Sequence, residues 1–193
     1  MENSINIIHL SVRVDRMKIL ENELEMQGID NVNIWEGIYH PKSIMKSISL
    51  AHKQIIKWAK ETGLKTVTVF EDDIKFTDKG AWDYYVDNEP LDYDIYLGGI
   101  YLGTIKNSIA NSWTAAHCYT VHERFYDVFL KSDEDKHIDT ALAGLGKYVV
   151  CEPMIAVQYN GVSNNTNQYC NFDSIINSRK LFKNQTNNDF VKQ

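Results

Sequence analysis

The stretch from residue 66 to residue 76, TVTVFEDDIKF, decides how this chain of 193 residues is read. Its first half is β-branched and aromatic, the composition of a strand buried on both faces. It then runs without a break into three carboxylates, Glu71, Asp72 and Asp73. Along an extended chain successive side chains alternate, so Glu71 and Asp73 are expected on one side and Asp72 on the other. A core strand that ends in clustered charge is either a solvated strand-to-loop corner or the edge of a site that uses negative charge. The elements around it weigh between the two.

Immediately upstream, Ser43 is a good N-cap. Ile44, Ile48, Ala51, Ile55 and Trp58–Ala59 then recur at helical spacing until Gly63, which predicts a helix over 44–62 leading straight into the strand. Before it, SINIIHL (4–10) reads as a short buried strand. DRMKILENELEMQG reads as a helix with Met17, Leu20, Leu24 and Gln27 on one face, Asp15 as N-cap and Gly28 as stop, and NVNIWEGI (31–38) as a second strand. Downstream, YDIYLGG (93–99), WTAAHCYTV (113–121) and KYVVCEP (147–153) read as strands, and ERFYDVFLK (123–131) and KHIDTALAGLG (136–146) as helices. Such alternation implies right-handed βαβ units, hence an α/β domain with a mostly parallel central sheet flanked by helices. Ligands of such sheets bind outside the carboxyl ends of the strands, which is where the triplet falls.

Gly98–Gly99 and IYLGTIKNSIANSW are expected to form a flexible loop over that crevice, with Tyr101 and Trp113 available to stack on a ligand ring. Nine of the last 34 residues are Asn, which predicts loops, one helix near 173–182 and a frayed end. The catalytic domain is accordingly placed over 1–160, with 161–193 a polar, partly looped extension.

Composition narrows the partners. Hydrophobic residues make up 44% of the chain, enough for a single domain without disulfide or metal staples. The net charge is −6 and the basic residues are scattered, which argues against nucleic acid. Cys118, Cys151 and Cys170 are odd in number and lack metal-site spacing, a pattern that suits a reducing cytoplasm. No stretch approaches the ~20 apolar residues of a membrane span, and the N-terminus has no basic, apolar leader. The glycosylation sequons at Asn164 and Asn184 are therefore read as a by-product of Asn-rich sequence.

The chemistry of the triplet follows from charge. Two ionised carboxylates about 5 Å apart repel by roughly 3 kcal/mol at an effective dielectric of 20. A divalent cation turns that repulsion into affinity, and oxygen-only ligands suit Mg²⁺ or Mn²⁺, which keep waters and bridge to substrate phosphates. Glu71 and Asp73 are thus the candidate metal ligands, with Asp72 on the opposite side. Arg13 and Arg16 sit at the first βα loop, where a guanidinium fork suits a diphosphate.

The blocks IIHLSVRVDR, SISLAHKQIIKWAK, VTVFEDDIKF, AAHCYTV and HIDTALAG…YVVCEPMIAVQ occur in the order and spacing of glycosyltransferase family 25. That family includes the bacterial lipopolysaccharide galactosyltransferases and the collagen galactosyltransferases, and the resemblance spans about residues 5 to 163. Leu10, Arg13, Arg16, His52, the triplet, His117, Tyr119, Asp139, Pro153 and Gln158 match its pattern. His9 stands where Asn is usual, Ser47 and Ile48 replace a Gly-Cys pair, and Ala51 replaces a Ser.

The resemblance implies a GT-A fold of the Rossmann-like kind and a metal-dependent, inverting transfer of a hexose, commonly galactose from UDP-galactose, to a glycan or other hydroxyl acceptor. It implies that Mn²⁺ or Mg²⁺ is held through the triplet, that Leu10, Arg13, Arg16, His52, Asp72 and His117 face the nucleotide-sugar, and that Asp139 is the general base. His52 and His117 are equally readable as packed histidines, and Asp139 as a first-turn carboxylate favoured by a helix dipole. Two alternatives stay open: a metal-dependent phosphohydrolase enlisting Asp94, Asp139 and His117 around a second metal, and a catalytically silent binding protein of the same fold.

Overall fold

The structure is a computed structural model that describes residues 4–163, 168–176 and 179–184. Asn164 and residues 185–193, read above as a sequon and a frayed end, lie outside the described residues. The chain begins β1 (Ile5–His9), α1 (Val14–Gln27), β2 (Val32–Glu36), α2 (Ile44–Glu61), β3 (Thr66–Glu71). It continues β4 (Ile74–Phe76), α3 (Ala81–Asp87), β5 (Ile95–Leu97), β6 (Ile105–Lys106), β7 (Ile109–Ala110), β8 (Cys118–His122). A 3₁₀ turn at Glu123–Phe125 then precedes α4 (Tyr126–Lys131), α5 (Ile138–Leu142), β9 (Tyr148–Val150), β10 (Ala156–Gln158), β11 (Gly161–Val162), β12 (Tyr169–Cys170) and α6 (Asp173–Ile176).

Eight strands form one sheet in the order β2-β1-β3-β8-β5-β9-β7-β6. β1 is parallel to both β2 and β3, and β5 to β9, while β8 and β7 run antiparallel to their neighbours. Six of the eight strands therefore share one direction, and the α/β fold with a mostly parallel sheet and flanking helices is as expected. Beside it, β4 pairs with β10 and β11 with β12.

Alternation along the strands sends side chains into two core layers. Val67 and Val69 of β3 pack with Ile55, Ile56 and Ala59 of α2. Phe70 packs on the other face with Ile5 and Ile7 of β1, Leu20 and Leu24 of α1, and Tyr85 of α3. The long helix α2 is started as predicted, by Ser43 Oγ accepting from Lys46 N at 3.1 Å. α1 ends on Gly28, whose φ of 67° permits the left-handed cap.

Several expectations are corrected. α1 starts at Val14 with Arg13 at the cap, so Asp15 lies in the first turn, where its carboxylate takes a two-pronged bond from Arg13 at 2.9 and 2.8 Å. The strand expected over 113–121 begins only at Cys118, because Ala115 adopts φ 85° and breaks the extended run. The helix expected over 136–146 is confined to Ile138–Leu142, and the one near 173–182 to Asp173–Ile176 among the described residues.

The segment 98–113 is no flexible loop. Gly98 and Gly99 are buried at close approaches, where an added Cβ would lie 2.4 Å from Cys118 Sγ and 2.2 Å from the Ala156 carbonyl oxygen. Beyond them β6 and β7 form a tight hairpin turned by Asn107 and Ser108, both at positive φ (51° and 60°), which the twist of a two-residue hairpin favours. Trp113 is 3% exposed and belongs to the core, so it is not available to stack on a ligand. No helix among the described residues is long and apolar enough to cross a membrane.

Candidate functional site

A cleft of about 500 Å³ opens beyond the carboxyl ends of β1, β2 and β3. The same alternation that builds the core aims the triplet into it. Glu71 continues the Val67–Val69 face toward α2, where His52 Nε2 meets its Oε1 at 3.1 Å. Asp72 continues the Phe70 face toward α1, where its Oδ1 accepts from Arg16 Nη1 at 2.6 Å and its Oδ2 meets His9 Nδ1 at 2.9 Å. His9 ends β1 on the face of Ile5 and Ile7, which explains why it meets Asp72 rather than Glu71.

The chain then turns, and Asp73 comes back beside Glu71. Gln158 Nε2 donates to Glu71 Oε2 at 3.2 Å and to Asp73 Oδ1 at 3.0 Å, so one amide holds both carboxylates. Arg16 Nη1 also lies 3.2 Å from Asp73 Oδ2. The turn is pinned on its far side by Tyr159 N donating to the Asp73 carbonyl at 2.8 Å.

The two carboxylates respond to their surroundings in opposite ways. Burial, and next the negative charge of Glu71, push the Asp73 carboxyl up to about 7. For Glu71 burial also opposes the charge, but the hydrogen bond from His52 and nearby positive charge hold the carboxyl below its ordinary value. His52 is itself fixed by Tyr119, whose hydroxyl lies 2.7 Å from Nδ1. A carboxylate only accepts, so Nε2 carries the hydrogen toward Glu71 and Nδ1 accepts from Tyr119. Burial keeps the Tyr119 phenol protonated, with its pKa well above the usual value, as that chain of bonds requires.

Of the residues singled out from sequence, Leu10, Arg16, His52, Glu71, Asp72, Asp73 and Asp139 line this one cleft. Arg13 and His117 do not. Arg13 is turned onto Asp15, and His117 is fully buried behind the floor, where Nε2 donates to the Ala156 carbonyl at 3.2 Å and burial lowers its pKa. Among the described residues its Nδ1 has no hydrogen-bond partner. Asp72 is 6% exposed and both its oxygens are engaged by protein groups, which is not the free contact to ribose or sugar that was expected. Tyr101 lines the cleft, but its ring already stacks with Phe172 at 5.0 Å and His117 at 5.7 Å. Asp94 lies at the amino end of β5, away from the cleft, tied to Arg124 at 2.6 Å and to Lys147 N at 2.7 Å.

Four residues of the site were not assigned a role from sequence. Gln158 reaches the carboxylates only because β10 pairs with β4, a contact between distant segments that no local pattern announces. Tyr159 follows it into the cleft and donates to Glu23 Oε1 of α1 at 2.5 Å. His9 was legible in principle, since its place in the Ile5–Ile7–His9 alternation puts it beside Asp72. His137, two residues before Asp139, lines the wall of the cleft and carries no local signal.

The donor set fits a hard divalent cation held by few protein ligands. Among the described residues no group of three His, Cys, Asp or Glu side chains forms a metal cage. Glu71 and Asp73 nevertheless converge on a single hydrogen-bond donor, and the high pKa of Asp73 reflects burial first and the neighbouring charge of Glu71 second. Two carboxylates, with the remaining positions left to water and phosphate, are a common Mg²⁺-type arrangement.

The fold and cleft define an α/β protein with an acidic site at the carboxyl edge of its sheet. No protein-family model matches the chain and no curated protein matches it in sequence, so the family 25 resemblance rests on its motifs. In structure the chain is similar to A197 from STIV, with a TM-score of 0.51 and 11% identity over 82% of this chain and 86% of that one. Looser likenesses include a glycosyltransferase involved in glycosylation of the major capsid of PBCV-1, at TM-score 0.44 and 14% identity over 78% of this chain and 82% of that one. Another is HddC from Yersinia pseudotuberculosis complexed with GMP-PN, at TM-score 0.42 and 15% identity over 75% and 68%. At these identities the likeness is one of fold.

Proposed function

We propose that this protein is a metal-dependent glycosyltransferase that moves a hexose from a nucleotide-sugar, such as UDP-galactose, to a hydroxyl acceptor with inversion. The observation that carries the reading is the pair Glu71–Asp73, two half-buried carboxylates held by one amide at the carboxyl end of β3, where burial and the charge of Glu71 push the Asp73 carboxyl up even with Arg16 beside it. A divalent cation bound there supplies charge to the departing diphosphate. Arg16, oriented by Asp72 and Asp73, faces the same cleft and suits the phosphates. His52 and Gln158 orient the carboxylates, as partners of metal ligands commonly do. The group that deprotonates the acceptor belongs on the wall that carries Asp139 and its neighbours. The phosphohydrolase alternative has less support, because Asp94 is held away from the cleft and His117 is buried behind it.

Thermal shift with UDP and Mn²⁺ tests the reading. Together they are expected to raise the melting temperature, with either alone doing less, since a ligand selective for the native state stabilises it by mass action. Absence of a shift with any nucleoside diphosphate, or an unaltered shift in a Glu71→Ala/Asp73→Ala variant, would refute it.

A further inference from the structure

We infer that His137, rather than Asp139, accepts the proton of the attacking hydroxyl, and that Asp139 is the clasp that keeps His137 in place; this rests on the transferase reading above. Both side chains line the cleft, but their surroundings differ. Asp139 Oδ1 accepts from Thr140 N at 2.6 Å and Thr140 Oγ1 at 3.3 Å, both within α5. Its Oδ2 accepts from Ala115 N at 3.1 Å. Ala115 holds φ 85°, a conformation a residue with a side chain adopts only when its surroundings enforce it, and the bond from Asp139 is one such restraint. Oδ2 of Asp139 thus joins α5 to the strained loop before β8, while Oδ1 is held within α5.

His137 is different. It stands at the cap position of α5, half-buried, and among the described residues no hydrogen bond engages its ring. A neutral imidazole carries one bare nitrogen, and among the described residues no protein donor competes for it. Its backbone is held on both sides. After it, Ile138 is buried in the core. Before it, the Ser132 carbonyl accepts from Lys53 Nζ at 2.6 Å, and Glu134 pairs with Lys46 at 3.4 Å and with Lys53 at 3.6 Å. Lys53 follows His52 on α2, so one helix fixes the carboxylate floor through His52 and the His137 wall through Lys53.

In the step assigned to it, the acceptor oxygen bonds to the anomeric carbon while its proton passes to the bare imidazole nitrogen. The bond from the anomeric carbon to the phosphate oxygen breaks, and its electron pair leaves with the nucleoside diphosphate. Water in place of the acceptor undergoes the same step, which allows a test without the natural acceptor.

The test measures UDP release from UDP-galactose with Mn²⁺, and calorimetric binding of UDP–Mn²⁺, for the unaltered protein and for His137→Ala, His137→Gln and Asp139→Asn. Both His137 variants are expected to bind UDP–Mn²⁺ within about threefold of the unaltered protein and to lose on the order of 100-fold in turnover. Added imidazole should restore part of the activity of His137→Ala, which a loss of structure would not allow. Asp139→Asn is expected to melt earlier and to gain nothing from imidazole. His137→Ala turning over at the unaltered rate would overturn the inference, as would rescue of an Asp139→Ala variant by formate while His137→Ala ignored imidazole. If the unaltered protein neither binds UDP–Mn²⁺ nor releases UDP, the transferase reading itself falls, and this assignment with it.

Discussion

Replacing Asp73 by Asn is expected to stabilise the protein, by an amount that grows as pH rises from about 4 to 7 and stays level above that. The carboxyl of Asp73 is pushed from an ordinary 3.8 up to about 7, by burial first and by the charge of Glu71 second, with the attraction of Arg16 and Gln158 already set against them. Holding that group ionised in the folded chain at pH 8 therefore costs about 4 kcal/mol relative to the unfolded chain. The sign follows from the direction of the shift. Below about pH 4 both states carry the proton and the cost is absent. As pH rises toward 7 the unfolded chain releases its proton first, so the folded state loses stability until it too has ionised.

An Asn side chain is neutral throughout and does not incur the cost. Its advantage should be small at pH 4, grow by about 3 kcal/mol between pH 5 and pH 8, and end near 4 kcal/mol. For a domain of this size that corresponds to roughly 8–16 °C in melting temperature. Urea unfolding at the two pH values, with EDTA present, measures it. Mn²⁺ at saturating concentration should then stabilise the unaltered protein and leave Asp73→Asn unmoved. An Asp73→Asn variant that gains equally at pH 5 and pH 8, or that loses stability at pH 8, would refute the argument that two charges are held together here at a cost.

Other substitutions test the scaffold. Ser43→Ala removes the cap of α2 and should lower stability by about 1 kcal/mol in urea melts. Gly99→Ala places a methyl 2.2 Å from the Ala156 carbonyl and should cost more than about 2 kcal/mol, whereas Gly161→Ala, with nothing within 4 Å, should change the urea midpoint by no more than about 0.5 kcal/mol. A thiol-disulfide reagent at pH 8 should label Cys170 alone in the folded protein. Cys118 and Cys151 are buried, and burial pushes the Cys151 thiol up to about 11. Because Cys170 lines the cleft, UDP with Mn²⁺ should slow its labelling, and an unchanged rate would argue that the nucleotide binds elsewhere.

How much of this was legible in the sequence depended on whether the deciding contact was local. The helix 44–62, the strand after it and the side-to-side division of the triplet follow from periodicity and a serine cap, and each recurs in the structure. What the sequence misplaced was decided over long distances. The segment 98–113 is rich in Gly and Asn, which locally reads as a loop, yet its ends are packed under β8 and β10 and its middle forms a hairpin with a left-handed pair that Asn-Ser rather than the commoner Asn-Gly provides. Trp113 was read as available to stack on a ligand, but it is buried in the core. Gln158 could be recognised as part of a motif, but its contact with Glu71 and Asp73 exists only through the β4–β10 pairing.

The division of labour within the triplet is therefore a property of strand register rather than of acidic residues as such. Glu71 meets His52 because it shares a face with Val67 and Val69, and that face is covered by α2. Asp72 meets His9 and Arg16 because it shares a face with Phe70, and that face is covered by α1 and bordered by the odd-numbered residues of β1. A shift of one residue in β3 would leave the same three acids at the same sheet edge but would turn Glu71 toward Arg16 and Asp72 toward His52. Asp73 falls on the side of Glu71, as alternation expects of residues two apart, although it lies past the strand in a turn whose carbonyl is held by Tyr159. Two carboxylates meet at the floor of the cleft because they stand two residues apart and share the amide of Gln158.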